Sequence, residues 1–185
     1  MAERITLPKL AGDEAGRVGV PSGPMPSWGE IEQIAPDLAR HARALLDAHV
    51  HKTLATLRAD GSPRISGIEA KFIDDELWFG SMPGSRKNAD LARDPRFALH
   101  SGSIDPPDWE GDAKVAGVVE DVDDPVRKRA IFDAMGADPE QIGLDSKLYR
   151  CDVREVAVTR LTEAKDELAI EFWSEAGGAR SLTRK

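Results

Sequence analysis

The segment Gly84-Ser85-Arg86-Lys87-Asn88 contains the residue types that most clearly indicate chemistry. Ser85 is a favourable residue to cap a helix, so the residues after it are expected to form a first helical turn. The free N–H groups of such a turn, together with the helix dipole, favour an anion. Arg86 and Lys87 are unfavourable at that end of a helix unless an anion lies nearby. The segment therefore predicts a phosphate site, although two solvated cations on a short surface helix would give the same pattern.

Other residues capable of chemistry form weaker patterns. His41, His49, His51 and His100 do not fall into an H-E-x-x-H arrangement, so we predict no metal site. Cys151 is the single cysteine, which excludes an intramolecular disulfide and multi-thiolate metal sites. The sequence also contains no G-x-S-x-G, P-loop or G-x-G-x-x-G motif, and no side chain stands out as a catalytic acid or base.

The net charge of −8 is unevenly distributed along the chain. Residues 105–145 carry 12 acidic and 4 basic side chains, whereas residues 52–104 carry 7 and 8. An acidic chain repels a nucleic-acid backbone, so no nucleic-acid partner is expected, but a near-neutral region can still bind one small phosphorylated ligand. No apolar run approaches the roughly 20 residues of a membrane helix. We therefore expect no membrane association and a cytoplasmic location.

The elements that must position the phosphate segment begin after a region rich in Pro and Gly. Residues 1–26 are predicted to form a flexible arm, and residues 27–185 a single domain. Ser27 and Glu30 form a capping box that starts a short helix, which the proline at position 36 should interrupt. A second helix is expected from about Asp37 to His49.

Alternating apolar residues then predict a series of strands. The first ends at the turn sequence Asp60-Gly61, and strands over 63–73 and 77–81 follow. A helix over 85–93 comes next. The remaining elements are expected to be strands at 97–101 and 113–122, a helix at 124–135, and strands at 148–158 and 167–173. Hairpin-linked strands with a few helices between them predict a mainly β (α+β) antiparallel barrel with peripheral helices.

The run from Lys52 to Gly102 resembles the pyridoxamine 5′-phosphate oxidase-like family of flavin-binding split β-barrels. In that family a hairpin leads into a further strand, a G-S-R-K turn and a short helix that ends in D-P-R. This chain has the same order, with Gly84–Lys87 at the turn and Asp94–Arg96 at the helix end. The resemblance implies a split β-barrel and FMN as the cofactor.

The resemblance also implies roles for residues on both sides of the helix start. Arg86 and Lys87 would bind the FMN phosphate with help from Ser85. Gly80 and Ser81, at the end of the preceding strand, would complete the phosphate or ribityl side of the site.

The isoalloxazine ring would lie along the second strand. The backbone of Ser66, Gly67 and Ile68 would face the ring edges, where amides can meet carbonyl and nitrogen atoms. Lys71 falls where the family often has a basic residue near the flavin, and it could stabilise negative charge on a reduced ring. Lys71 could equally be an outward strand residue opposite Glu69.

The family implies a homodimer with cofactor sites at the interface and electron transfer to or from a small organic substrate. Residues 176–185 do not match the arginine-containing motif that grips the substrate in vitamin B6 oxidases, so that activity is not expected. Two alternatives remain open. One is a deazaflavin-dependent reductase, for whose longer anionic tail Arg64, Lys52 and Arg58 are available, and the other is a non-catalytic flavin carrier or sensor.

Overall fold

The chain was analysed as a computed structural model, which describes residues 27–137 and 145–185. The predicted arm over residues 1–26 lies outside these ranges. Within them the chain forms four helices and eight strands, and every strand pair is antiparallel. In chain order the elements are α1 (Trp28–Ile34), α2 (Pro36–Asp47), β1 (His51–Leu57), β2 (Pro63–Ile73), β3 (Glu76–Ser81), α3 (Arg86–Arg93), β4 (Arg96–His100), β5 (Asp112–Asp121), α4 (Pro125–Ala134), β6 (Lys147–Leu161), β7 (Leu168–Ser174) and β8 (Gly178–Arg184).

The first six strands close into a barrel. They follow the order β3-β2-β1-β4-β5-β6, and β6 pairs back onto β3 from Lys147 to Cys151. The closure is incomplete along β2: residues 63–69 pair only with β1, and β3 pairs with β2 only from Ala70 to Ile73, so the first part of β2 keeps one open edge. The predicted mainly β split barrel with peripheral helices is confirmed.

The β6 strand belongs to two parts of the sheet. Its first half closes the barrel, while its second half pairs with β7, which in turn pairs with β8. The structure therefore extends β6 beyond the predicted span and adds β8, which the sequence pattern did not predict. Every residue of β8 is exposed, so this strand lacks the apolar alternation that sequence analysis can detect.

Local sequence explains both the strand register and its one irregularity. In β1, Lys52, Leu54 and Thr56 are buried and alternate with more exposed residues, which is the period of a strand with one face on a core. The β5–β6 pairing shifts at Gly117. A Cβ at Gly117 would lie 1.9 Å from the carbonyl oxygen of Asp152, so only glycine allows this close approach.

The helices cover the barrel at separate places. Trp28 and Ile31 of α1 and Leu46 of α2 pack into the main core, while Ile131 and Phe132 of α4 belong to a smaller apolar cluster. The α1 capping box is present, with both the side-chain and the backbone bond made. No helix among the described residues is long and apolar enough to span a bilayer.

Candidate functional site

A cavity of about 370 Å³ lies where β2 and β3 meet the start of α3 and the end of α4. Six of the nine residues predicted for the cofactor line it, and the other three, Ser66, Ser85 and Arg86, do not. The structure therefore brings the predicted strand and helix residues to one place. The lining residues are Gly67, Ile68, Glu69, Lys71, Gly80, Ser81, Met82, Lys87, Phe132, Met135, Gly136, Ala137 and Ser146.

The start of α3 is open to an acceptor. Ser85 has the extended backbone of an N-cap residue, as predicted, but its side chain makes no capping hydrogen bond. Its Oγ instead lies 2.8 Å from Oγ of Ser81 at the end of β3. The first turn of α3 also contains no acidic residue. The N–H of Asn88 donates to the carbonyl of Ser85, whereas the N–H groups of Arg86 and Lys87 lack a side-chain acceptor and are available to an anion.

Lys87 is the cation that the fold directs to this cavity. Its side chain is half-buried, and burial lowers its pKa from the ordinary value of a lysine. It has no ion-pair partner among residues 27–137 and 145–185. A partly desolvated ammonium without a carboxylate is costly unless an anion offsets it. Arg86, by contrast, is exposed and lies outside the lining.

Lys71 also lines the cavity, and its ammonium is engaged. Nζ donates a hydrogen bond of 2.5 Å to the carbonyl oxygen of Met135, the residue that ends α4. A cation at this position complements the negative end of the helix dipole. Glu69, two residues earlier on β2, lines the same cavity. Lys71 therefore points outward from β2 and lines the cavity at the predicted site. Its bond to Met135 also links β2 to the end of α4.

The wall opposite β2 comes from α4 and the residues after it, which sequence analysis did not assign to the site. Phe132 packs so close to β3 that a Cβ at Gly80 would lie 2.9 Å from its ring. Glycine at position 80 thus allows the aromatic ring to form this wall. A glycine at position 80 is consistent with a close neighbour, but only the tertiary structure shows that this neighbour is Phe132 of α4.

The three cations that a longer anionic tail would need lie elsewhere. Arg64 bonds to the carboxylate of Asp90, and Arg58 bonds within its own turn to Ser62 and Pro63. Lys52 is 6% exposed, and its Nζ donates to backbone carbonyls of Val50 and Ala70. None of the three lines the cavity.

The remaining candidates from the sequence do not form a site among the described residues. His41 Nδ1 lies 2.7 Å from a carboxylate oxygen of Glu171, and His100 Nδ1 lies 2.7 Å from the carbonyl oxygen of Ser101. No group of three or more His, Cys, Asp or Glu residues in 27–137 and 145–185 is arranged to hold a metal. Cys151 is buried, and burial raises the pKa of its thiol, which makes it unreactive.

Solved structures of similar fold share little sequence with this chain. A pyridoxamine 5′-phosphate oxidase-related, FMN-binding protein from Nostoc punctiforme has a TM-score of 0.56 and 16% identity, with 81% of this chain and 94% of that chain covered. A haem-binding protein from Mycobacterium smegmatis gives 0.54 and 16%, covering 80% and 87%. An F420 reductase gives 0.50 and 22%, covering 62% and 94%. These likenesses establish the fold.

Comparison with curated protein sequences finds no match. The family model for pyridoxamine 5′-phosphate oxidase matches residues 38–159, which is about two-thirds of the chain and includes every residue that lines the cavity. The chain therefore belongs to the pyridoxamine 5′-phosphate oxidase family.

Proposed function

We propose that this protein is an FMN-binding oxidoreductase that transfers electrons to or from a small organic substrate. The observation that carries the proposal is Lys87, a half-buried cation with no ion pair among the described residues, at the uncapped start of α3 and on a cavity. Family membership and the FMN-binding relative of the same fold support the choice of cofactor.

The phosphate of FMN would be held by the start of α3. Lys87 would supply the charge from inside the cavity, while Ser85 and Arg86 would contribute at its outer edge. A phosphate dianion matches both the uncapped N–H groups and a cation that burial has destabilised. Ser81, bonded to Ser85, and Gly80 would border the phosphate or ribityl side.

The ring of the cofactor would lie against β2. The backbone of Ser66, Gly67 and Ile68 would provide hydrogen-bonding groups along its edge. Flavin, when bound, supplies the capacity to accept and donate electrons or hydride, whereas the protein supplies binding and electrostatics. Lys71, held by the carbonyl of Met135, would place positive charge beside the ring.

We further propose a homodimer with the cofactor sites at its interface. Ile65 of β2 pairs with Ala55, Ala55 with Ala98, and Ala98 with Ala116, so a row of apolar residues crosses four strands. Ile65 is 67% exposed. Ile65 also lies two residues before Gly67 and on the same face, so this row continues into the cavity lining. A second copy of the chain bound to this row would cover the apolar residues and the adjacent side of the cavity.

The dimer is tested by its mass in sedimentation equilibrium. Ile65→Glu should convert the protein to monomers and reduce cofactor affinity together. Val126→Glu changes another exposed apolar residue, which lies on α4 outside the row and is 77% exposed, and should leave the dimer intact. A monomeric native protein, or an unaffected Ile65→Glu dimer, would contradict this part of the proposal.

FMN is preferred to the other cofactors that proteins of this fold bind. An F420 reductase shares the fold, but the cations that a deazaflavin tail would need are engaged away from the cavity. A haem-binding protein shares it as well, but a haem group usually takes a His, Cys, Met or Tyr axial ligand, and the described lining includes from these only Met82 and Met135. A carrier without catalysis would hold flavin without turnover, and we propose a cytoplasmic location for either function.

The experiment is to identify the chromophore that purifies with the full-length protein and to titrate FMN, riboflavin and a deazaflavin coenzyme by fluorescence. We expect bound FMN and a clear preference for FMN over riboflavin.

The double variant Arg86→Ala, Lys87→Ala should weaken the binding of FMN far more than that of riboflavin. Arg40→Ala, which removes an exposed cation on α2, should change neither affinity. Equal weakening of both ligands would mean that α3 does not bind the phosphate, and tighter deazaflavin binding would favour that alternative. A bound flavin that neither nicotinamides nor a panel of acceptors can reduce or reoxidise would indicate a carrier.

A further inference from the structure

We propose that Asp90 is the positioning residue of the phosphate site and that it acts by fixing α3, and with it Lys87, to the barrel. This inference rests on the proposed function, because it assumes that the start of α3 binds a phosphate. Asp90 does not line the cavity, and no sequence motif distinguishes it.

Asp90 is a buried carboxylate with donors from three elements. It is 3% exposed. Its Oδ2 accepts hydrogen bonds from Thr56 Oγ1 on β1, at 3.0 Å, and from Arg64 Nε on β2, at 2.5 Å. Its Oδ1 accepts from Arg93 at 3.3 Å, and the same guanidinium nitrogen donates to the carbonyl of Leu57 at the end of β1. One side chain of α3 therefore joins this helix to two neighbouring strands.

The helix has few other means of being held in place. Of its eight residues, only Asp90 and Leu91 are buried. A helix this short is not stable by itself, so its position depends on tertiary contacts. Leu91 supplies an apolar contact, which is not directional, whereas the bonds of Asp90 fix the rotation of the helix about its axis.

That rotation matters for Lys87. Lys87 and Asp90 are three residues apart and therefore neighbours on the surface of α3, separated by about 4.5 Å along its axis. If the carboxylate loses its bonds to Arg64 and Thr56, α3 keeps its links to the end of β3, from Ser85 to Ser81 and from Asn88 to Met82, but loses those that fix it to β1 and β2. The turn that carries Lys87 can then pivot about the end of β3. The ammonium and the first-turn N–H groups then no longer meet at one point.

The negative charge of Asp90 should weaken phosphate binding, whereas its hydrogen bonds to the barrel should strengthen it. Substitution of Asp90 therefore distinguishes an electrostatic role from a positioning role. A carboxylate within a Debye length of about 8 Å repels a bound phosphate. Removing this charge, and releasing Arg64 and Arg93, would strengthen phosphate binding if electrostatics alone were involved. A positioning role predicts weaker phosphate binding from the same substitution. A role in general stability predicts no change in the preference for FMN over riboflavin.

The test measures the ratio of FMN to riboflavin affinity, with thermal unfolding in parallel, for the full-length native protein and for Asp90→Asn. Arg64→Gln is the second variant, because it removes the same bond from a partly exposed position and so retains the fold more readily. Glu76→Gln is the matched control. It removes a carboxylate bonded to Arg150 in the β3–β6 pair, and it should lower the unfolding temperature without changing the ratio.

We expect the ratio to fall about tenfold in Asp90→Asn and by a smaller factor in Arg64→Gln. An unchanged ratio in both variants, or a higher one, would overturn the proposal. A native protein that binds FMN no better than riboflavin would instead contradict the phosphate site itself, so that failure of the proposed function is recognised before the variants are compared.

Discussion

Two neighbouring charged residues of α3 are in opposite situations. Near the helix start, Lys87 lines the cavity and makes no ion pair with any described residue, and the side chain of Ser85 does not cap the first turn. In the middle of the helix, Asp90 accepts hydrogen bonds from Thr56, Arg64 and Arg93. Both residues belong to one eight-residue helix, so the difference arises from what each side chain faces and not from the helix itself.

The comparison indicates where to look for function. The Asp90 cluster is satisfied within the chain, and its donors lower the pKa of the carboxyl to about 2. Burial lowers the pKa of Lys87 without any partner to oppose it. A satisfied charge stabilises the fold, whereas a half-buried charge without a partner indicates a ligand. Substitutions at and around the two residues test this distinction.

The largest effect on FMN affinity is expected when the two cations at the start of α3 are replaced one at a time. Lys87→Ala should reduce FMN affinity about tenfold to hundredfold, because a charge-assisted hydrogen bond in a partly buried site is lost. Arg86→Ala should reduce it by about fivefold or less, since this residue is exposed and its interaction is screened. Isothermal titration calorimetry of each variant gives the comparison.

Riboflavin, which lacks the phosphate, is the control for both variants. Its affinity should change little in either one. If Arg86→Ala has the greater effect on FMN, the phosphate lies outside the cavity, and the assignment of Lys87 as its main partner is wrong.

Substitution of Asp90 should affect stability, and the effect should depend on pH. Asp90→Asn is expected to lower the free energy of unfolding by about 2 kcal/mol at pH 7, since it breaks a buried ion pair. The folded-state pKa of Asp90 is depressed from 3.8 to about 2, so its contribution is complete above pH 4 and is lost as the pH falls towards 2. Urea unfolding at pH 7, 4 and 3 should show the two proteins converging.

Asp37→Asn provides the matched control. Asp37 pairs with Arg40 on the exposed side of α2, and its removal should cost less than about 1 kcal/mol. A difference between native protein and Asp90→Asn that stays constant from pH 7 to pH 3 would mean that the charge of Asp90 is not what stabilises the position of α3.

The opposite wall of the cavity gives a third prediction. In Gly80→Ala, the new Cβ lies 2.9 Å from the ring of Phe132, so the ring, or α4 with it, must shift, at a cost of about 1–3 kcal/mol in unfolding free energy. The double variant with Phe132→Leu should recover much of this loss. Gly67→Ala places its Cβ in open space and should change stability by less than about 0.5 kcal/mol. Equal effects of the two alanines would contradict the contact between Gly80 and Phe132.

The smallest effect concerns pH and ligand charge. A phosphate monoester gains its second charge near pH 6, so the preference for FMN over riboflavin should rise about threefold between pH 5 and pH 7. It should decline again at alkaline pH, and earlier than for an exposed lysine, because the pKa of Lys87 is lowered. Lys87→Arg keeps its charge and should lose the alkaline decline. A decline that persists in Lys87→Arg would assign it to another group.

The central strands of the barrel and the start of α3 were predictable because their signals are local. Alternation in β1 and the Asp60-Gly61 turn depend on residues adjacent in the chain, as does Ser85 at the start of α3. The exposed β8 was missed, since its residues carry no apolar alternation. The α4 wall was missed as well, because helix prediction does not say which strand a helix will cover.

What the sequence alone determined is the order of the elements from α1 to β7, the family resemblance and two adjacent cations at a helix start. Only the tertiary structure decided that Lys87 faces the cavity while Arg86 does not, and that Lys71 bonds to the end of α4. It also joined Asp90 to Arg64, which lies 26 positions away. The physical reason is range: capping and alternation are set by neighbouring residues, whereas burial and ion pairing depend on which distant elements the barrel brings together.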